Sequence, residues 1–373
     1  MLIGLRVQIN GAGVAGLAAA TALAMRGAQV TVLEIAPEIT AVGAGLQISP
    51  NGGAVLDALG LGPTLRANGV LNQAVELRDY RQGSRVLRLD LARHHTGPHP
   101  FMLIHRARLI GVLEQAARDA GVRIELGTTG TPDIGPSDLL IGADGLKSTL
   151  RPALNNESPP FFTGQVAWRA TIPDADALPE AHVYMGPGRH LVSYPLARGL
   201  RNIVAVEERA TWAAEGWNHS DDPANLRAAF KDFAPQVQNW LAKIENTALW
   251  GLFRHPVAAI WHDDNRVLIG DAAHPTLPFL AQGANMALED AWVLVRCLSD
   301  HPVPQALTHY QLTRHARVAR VIDAATANAR NYHLRNPALR FAAHSALRAG
   351  SALAPKAALK RFAWLYDHDV TKS

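Results

Sequence analysis

At 373 residues, 48% hydrophobic and 18% charged, the chain is long enough for two domains sharing one interface and too apolar to be disordered. Its net charge of +4, with no lysine/arginine block, is too small to argue for a nucleic-acid partner and suits weak steering of an anionic cofactor or substrate. The single cysteine, Cys297, excludes an internal disulfide, and no apolar stretch reaches membrane-spanning length, so a cytoplasmic monomer or homodimer with no membrane partner is expected.

The first fifty residues read β–α–β. Residues 5–9 make a short strand, 14–26 an alanine-rich helix with apolar residues at helical spacing, and Gly27 sits where a helix C-terminus favours glycine. A β-branched second strand over 30–33 ends at Glu34. Residues 74–92 alternate apolar with polar around Tyr80-Arg81-Gln82-Gly83-Ser84, the pattern of a half-exposed hairpin. A helix over 106–120 and a strand over 122–126 follow, then a thin connection, 127–138, before a buried strand at 139–141. Strands at 165–172, 182–185, 190–194 and 202–206 indicate an antiparallel sheet. Helix returns at 225–230, the α/β pattern at 266–271, and everything from about Val303 onward is helical.

Two glycine-bearing signatures lie at opposite ends of this pattern. In Gly11-Ala12-Gly13-Val14-Ala15-Gly16 the first glycine allows a tight strand-to-helix turn, the second lets backbone approach a pyrophosphate, and the third lets helix pack on strand. Phosphates then meet the unpaired N–H groups of the helix N-terminus. Glu34, at the tip of the next strand, can accept hydrogen bonds from ribose hydroxyls. That motif alone does not separate NAD from FAD. The second signature, Leu268-Ile269-Gly270-Asp271-Ala272-Ala273-His274-Pro275, does. Asp271 at the end of a buried strand can hold a polyol hydroxyl, while Gly283, Ala284 and Asn285 can present backbone N–H groups before a helix opening near Met286. A plain NAD dehydrogenase has no use for a ribityl site, so FAD spanning both signatures is indicated. His94, His95 and His99 read as a solvated loop rather than a zinc site, and Trp168-Arg169 as sheet packing, with a role in the substrate pocket as the alternative.

At these residues the chain resembles the single-component FAD-dependent aromatic monooxygenases, related to salicylate, 3-hydroxybenzoate and 6-hydroxynicotinate hydroxylases. The resemblance rests on GAGVAGL (11–17), VGAGLQISPNG (42–52), HRARL (105–109), IGADGLKSTLR (141–151), LIGDAAHPTLPFLAQGANMALEDA (268–291) and a WLYDHDV tail. It implies an α/β fold: a Rossmann-like FAD-binding domain (1–73, 98–160, 262–302) interleaved with a mainly antiparallel β-sheet substrate domain (74–97, 161–261), and a helical C-terminus (303–373). Glu34 would bind the adenosine ribose, Arg106 the ribityl–phosphate region, Asp271 the ribityl chain and Gly270 the adjacent phosphate. Gly45, Leu46, Gly283, Ala284 and Asn285 would lie near the isoalloxazine. Asp144 and Gly145 would serve pyrophosphate and NAD(P)H handling, with Arg151 structural or part of that groove.

His190 and Tyr194 lie four apart on a strand, so period two places both on one face. Imidazole suits a general base near neutral pH, and a tyrosine hydroxyl can orient or relay the proton. The resemblance implies that this pair binds and deprotonates a phenol; a strand pair packed on core, with His190 at a solvent edge, is the bland alternative. The activity implied is NAD(P)H-dependent hydroxylation, by O₂ through a flavin hydroperoxide, of a small phenolic or hydroxy-heteroaromatic acid. Its rivals are an FAD protein with other redox chemistry, such as a halogenase, and a flavin-binding protein without turnover. Three departures from the family stand out: Asn10, expected to loosen its strand end; Ile35, where an arginine is common; and the short 127–138 connection in place of a β-hairpin.

Overall fold

A computed structural model describes residues 2–39, 45–155, 159–210 and 219–372; Val42, Gly43 and Ala44 of one family block lie outside them. The described residues form sixteen strands. They are β1 (Arg6–Asn10), β2 (Gln29–Glu34), β3 (Gly45–Ile48), β4 (Val70–Leu71), β5 (Ala74–Asp79), β6 (Arg85–Asp90), β7 (Met102–His105) and β8 (Arg123–Leu126), then β9 (Leu139–Gly142), β10 (Phe161–Pro173), β11 (Glu180–Gly186), β12 (Arg189–Leu196), β13 (Leu200–Glu208), β14 (His219–Asp221), β15 (Thr247–Arg254) and β16 (Arg266–Leu268).

Five of them form a parallel sheet in the order β16-β9-β1-β2-β8. A parallel sheet is buried on both faces, which suits the apolar runs Val7–Ile9 and Leu139–Ile141. The helix Val14–Ala24 is buried at ten consecutive positions, Val14 to Leu23; its alanines let the helices Arg106–Asp119 and Gly283–Asp300 pack closely on it. At the end of β1, Asn10 does not loosen the strand. It keeps its ladder partners Leu33 and Gly142, and its Nδ2 donates to Thr131 O at 2.9 Å, fastening the strandless 127–138 connection to the sheet.

A second sheet runs β14-β15-β10-β13-β12-β11-β5-β6, antiparallel except where β5 lies parallel to β11. Alternation gives it two apolar faces. Trp168, Ala170, Leu191, Ile203, Ala205 and Leu249 pack on the helices Pro223–Ala229 and Pro235–Ala242. Its other face carries Ala167, Val206 and Trp250 and packs on Leu277 and Phe279, from the segment after β16 at the edge of the parallel sheet. A small antiparallel sheet, β3-β7-β4, bridges the two. The 30-residue helix Val303–Tyr332, about 45 Å long at 1.5 Å per residue, packs its last turns, at Ala329 and Tyr332, on that same face of the second sheet. No helix among the described residues is long and apolar enough to cross a membrane.

Candidate active site

At the first signature, Gly11 has φ +105°, and a Cβ there would lie 2.5 Å from Ala143 O. A Cβ on Gly16 would lie 2.0 Å from Gly11 O, whereas one on Gly13 would meet nothing within 4 Å. Two glycines are therefore demanded by packing, and the middle one leaves the start of the helix open. Glu34 sits against the same loop: its Oε2 accepts from Ala12 N at 2.7 Å and its Oε1 from Ala36 N at 3.0 Å. Asp144 closes the other side, its Oδ2 accepting from Thr149 N at 2.7 Å while its buried Oδ1 has no partner.

The second signature folds directly onto the first. Gly270 has φ +59°, and a Cβ there would lie 3.0 Å from the Cβ of Ala15. Residues Gly270–Ala272 form a 3₁₀ turn, so the strand stops at Leu268 and Asp271 stands on the turn. Its side chain is exposed, yet burial of the surrounding cleft pushes the carboxyl pKa up, opposed by His274 and by Arg106. Such a group lines a concavity rather than an outer surface. Arg151 holds the turn from behind, donating to the carbonyls of Ala272 and Ala273 at 3.0 Å. Helix Gly283–Asp300 begins three residues before the expected Met286, because Gln282 O already accepts from Met286 N; Gly283, Ala284 and Asn285 are its first turn, whose N–H groups have no intrahelical partner. The Asn285 side chain is a structural tie, accepting from Ser49 N at 3.0 Å and donating to Gln47 O at 3.0 Å.

The sheet registers define the opposite wall. Ala167, Val206 and His190 stand in one row, Arg169, Val204 and Val192 in the next, and Thr171, Asn202 and Tyr194 in the third. Directly opposed residues share a face, so His190, Tyr194, Arg169 and Asn202 all point the same way, joined by Trp250 opposite Ala167. This face meets Leu277 and Phe279, from the loop after the second signature, and Tyr332 at the end of the long helix.

His190 is not at a solvent edge: it is 2% exposed, ringed by Phe279 and Tyr332, with its Nδ1 2.7 Å from His333 Nε2. Burial, and His333 after it, hold its pKa well below the ordinary imidazole value. Tyr194 is buried against Gly45, where a Cβ would come within 2.5 Å of its ring; burial raises its hydroxyl pKa and Arg169 opposes that. Gly45 N donates to Asn202 Oδ1 at 2.8 Å, leaving Asn202 Nδ2 buried without an acceptor. Leu46 continues β3 beside it, paired with Ile104.

Arg169 splits from Trp168: of the two alternatives the sequence leaves for this pair, Trp168 takes sheet packing and Arg169 the cleft side. Arg169 lies 4.2 Å above the Trp250 ring, its buried Nε has no acceptor, and no carboxylate among the described residues pairs with it. Burial lowers its pKa to about 10, Tyr194 raising it and Arg106 lowering it further, so it stays cationic at neutral pH. Uncompensated buried cations are costly, and a binding site is where one is retained. The one signal available beforehand was alternation: Arg169 falls on the strand face opposite to Trp168.

An extended dinucleotide fits these residues. The open position at Gly13, the exposed but desolvated Asp271, the free first turn at Gly283, and the unpaired donors of Arg169 and Asn202 could each serve it, and Arg106, whose charge acts on both Asp271 and Arg169, relates the two walls to each other. Two glycine-bearing turns folded onto each other, beside a sheet face that carries a buried imidazole and a cation without an anion, suit a flavin-dependent oxidoreductase.

Comparison with known proteins carries the assignment further. The chain belongs to the FAD binding domain family, whose model matches residues 5–132 and 136–325. It is similar to 3-amino-4-hydroxybenzoate 2-monooxygenase of Streptomyces cremeus, 36% identical over 355 residues, 88% of each chain. Similarity to 3-hydroxybenzoate 6-hydroxylase of Klebsiella oxytoca is 32% over 360 residues, 88% of this chain and 89% of that one. Among solved structures, Klebsiella pneumoniae HpxO complexed with FAD and uric acid matches with TM-score 0.78 and 26% identity over 94% of both chains. The protein is an FAD-dependent aromatic monooxygenase.

Proposed function

We propose that the protein hydroxylates a small phenolic or hydroxy-heteroaromatic acid with O₂, using NAD(P)H as electron donor. The observation that carries this reading is the single sheet face bearing Arg169, Tyr194 and His190: a cation for a carboxylate, a buried phenol to orient, and a buried imidazole to take a proton. The hydroxybenzoates in the names of the relatives support the same class.

The cofactor would be held along the whole cleft. Gly11, Gly13, Val14, Ala15 and Gly16 would face its pyrophosphate, with Asp144 at the loop's edge, and Glu34 the adenosine ribose. Asp271, Gly270 and Arg106 would take the ribityl and phosphate region, and Gly45, Leu46 and the Gly283–Asn285 turn the ring system. When bound, FAD supplies the electron transfer from NAD(P)H and the activation of O₂. The protein's own part is to fix the acid, draw the ring hydroxyl's proton onto His190 so that the ring becomes electron-rich, and keep water out. Leu277, Phe279 and Tyr332 wall off that centre.

An oxygen-uptake screen over hydroxybenzoates and hydroxynicotinates tests the class; colourless protein that takes up no FAD rejects the reading outright. Within a positive screen, His190→Ala should stay yellow yet hydroxylate about 100-fold more slowly or worse, the usual worth of a positioned base. An unchanged rate would remove His190 as the base.

A further inference from the structure

A buried base must dispose of the proton it receives. His190 lies 2.7 Å from His333, and the far nitrogen of His333, Nδ1, lies 2.8 Å from Glu208 Oε1. Glu208 is about one-third exposed and also accepts from Arg335 Nη2 at 2.6 Å. A surface hollow of about 350 Å³, lined by Glu208, Arg335, Arg209 and Gly164, opens at that carboxylate. One continuous hydrogen-bonded line therefore runs from the wall of the active site to water. We propose that His190, His333 and Glu208 form a proton exit, with His333 and Glu208 acting through His190 on the ring hydroxyl. This rests on His190 being the base, as proposed above.

The polarity of the line follows from its outer end. Glu208 is ionised: burial works against its charge, but Arg335 and then His333 outweigh that and hold its pKa low. A carboxylate accepts only, so His333 Nδ1 carries a hydrogen and His333 Nε2 is a lone pair. His190 Nδ1 must then donate to it, which leaves His190 Nε2 as the free acceptor. That is the tautomer a base in this place requires. Burial also depresses the pKa of His333, so neither ring holds an extra proton comfortably at neutral pH.

Each transfer balances without a redox partner. The substrate O–H breaks as a bond to His190 Nε2 forms; His190 Nδ1 passes its hydrogen to His333 Nε2; His333 Nδ1 passes its own to Glu208, which releases it to water in the hollow. Return of a proton to the product's oxygen runs the line backwards and restores both tautomers. The charged and titratable groups around this line are Arg335 on Glu208, Tyr332 beside His190, and Arg169 with Tyr194 along the same sheet face.

The test uses FAD-loaded enzyme and whichever hydroxybenzoate the wild type turns over fastest, with His333→Gln and Glu208→Gln variants. Glu208 is partly exposed, so its variant tests the relay even if the His333 variant misfolds. Turnover number should fall about 10-fold or more in both, with KM and FAD content unchanged and a larger solvent deuterium isotope effect. Added imidazole should restore turnover to the His333 variant. Wild-type turnover in both variants overturns the relay, as does a loss that neither imidazole nor deuterium alters, which marks a packing role. If His190→Ala is slow while these two are fast, the relay alone fails. If His190→Ala is itself fast, the base assignment fails with it.

Discussion

Trp168 and Arg169 are neighbours on β10, and the pleat sends them to opposite worlds. Trp168 is fully buried and donates from its indole to Asp221 at 2.6 Å, while Arg169 crosses to the cleft and finds no anion there. A substrate carboxylate would supply one, and a hydrogen bond to a charged group contributes about 1.5–3 kcal/mol. Arg169→Met should therefore raise KM for an acid substrate about 10- to 100-fold with the flavin spectrum intact. The preference for the acid over its decarboxylated phenol should collapse with it; equal losses for both compounds in steady-state kinetics would exclude a carboxylate contact. Alternation was enough to pair His190 with Tyr194, because period two is a property of the strand alone. It could not say which face of the sheet meets the cleft, so Arg169 stayed undecided between packing and pocket, Asn202 stayed hidden, and His333, far off in the chain, carried no local signal.

The strand–turn–helix unit at the start of the chain separates packing from binding within one loop. Gly16 cannot gain a Cβ without meeting backbone at 2.0 Å, and backbone does not move aside cheaply. At Gly13, with φ −81° and nothing within 4 Å of an added Cβ, any residue fits the protein itself. Gly13→Ala should thus leave the melting temperature of the apoprotein within a degree or two of wild type, yet weaken FAD binding about 10-fold or more by filling the anion's approach. Gly16→Ala should lower both. Thermal melts with FAD titrations distinguish them; wild-type affinity in Gly13→Ala would place the pyrophosphate elsewhere. Elements such as this one were legible because their signals are local: the helix Val14–Ala24, the hairpin β5–β6 and the strands β10–β13 all follow from periodicity and turn residues. The start of helix Gly283–Asp300 was less so, since its N-cap, Gln282, is not a usual capping residue.

Across the whole molecule, the second glycine signature is anchored by a buried ionic network. Arg314, from the middle of the long C-terminal helix, donates to Asp290 Oδ1 at 2.8 Å and to Glu289 Oε2 at 2.5 Å, with all three side chains essentially unexposed. Asp290 also accepts from Gly270 N at 2.9 Å and lies 2.5 Å from His274 Nε2, while Glu289 takes Arg317 and Asn51. The second signature is thus clamped to two helices at once. Nothing local marks Arg314 apart from its arginine-rich surroundings; only tertiary packing decides which arginine turns inward.

Burial opposes the charge on both carboxylates, but Arg314 with Arg317 for Glu289, and His274 with Arg314 for Asp290, hold each at about 2. Folded values below the unfolded values of 4.5 and 3.8 mean stability that is complete at neutral pH and lost as pH falls. The melting temperature should accordingly hold down to about pH 5 and drop steeply between about pH 4.5 and 2. Arg314→Met leaves two buried carboxylates without their main partner and should destabilise the fold by about 3–5 kcal/mol at pH 7. Their pKa values would then rise, so mild acidification toward pH 5 should recover part of the lost stability instead of eroding it. Circular-dichroism melts of both proteins from pH 7 to pH 3 read the two slopes; parallel curves would mean that the network does not govern the acid limit of the fold.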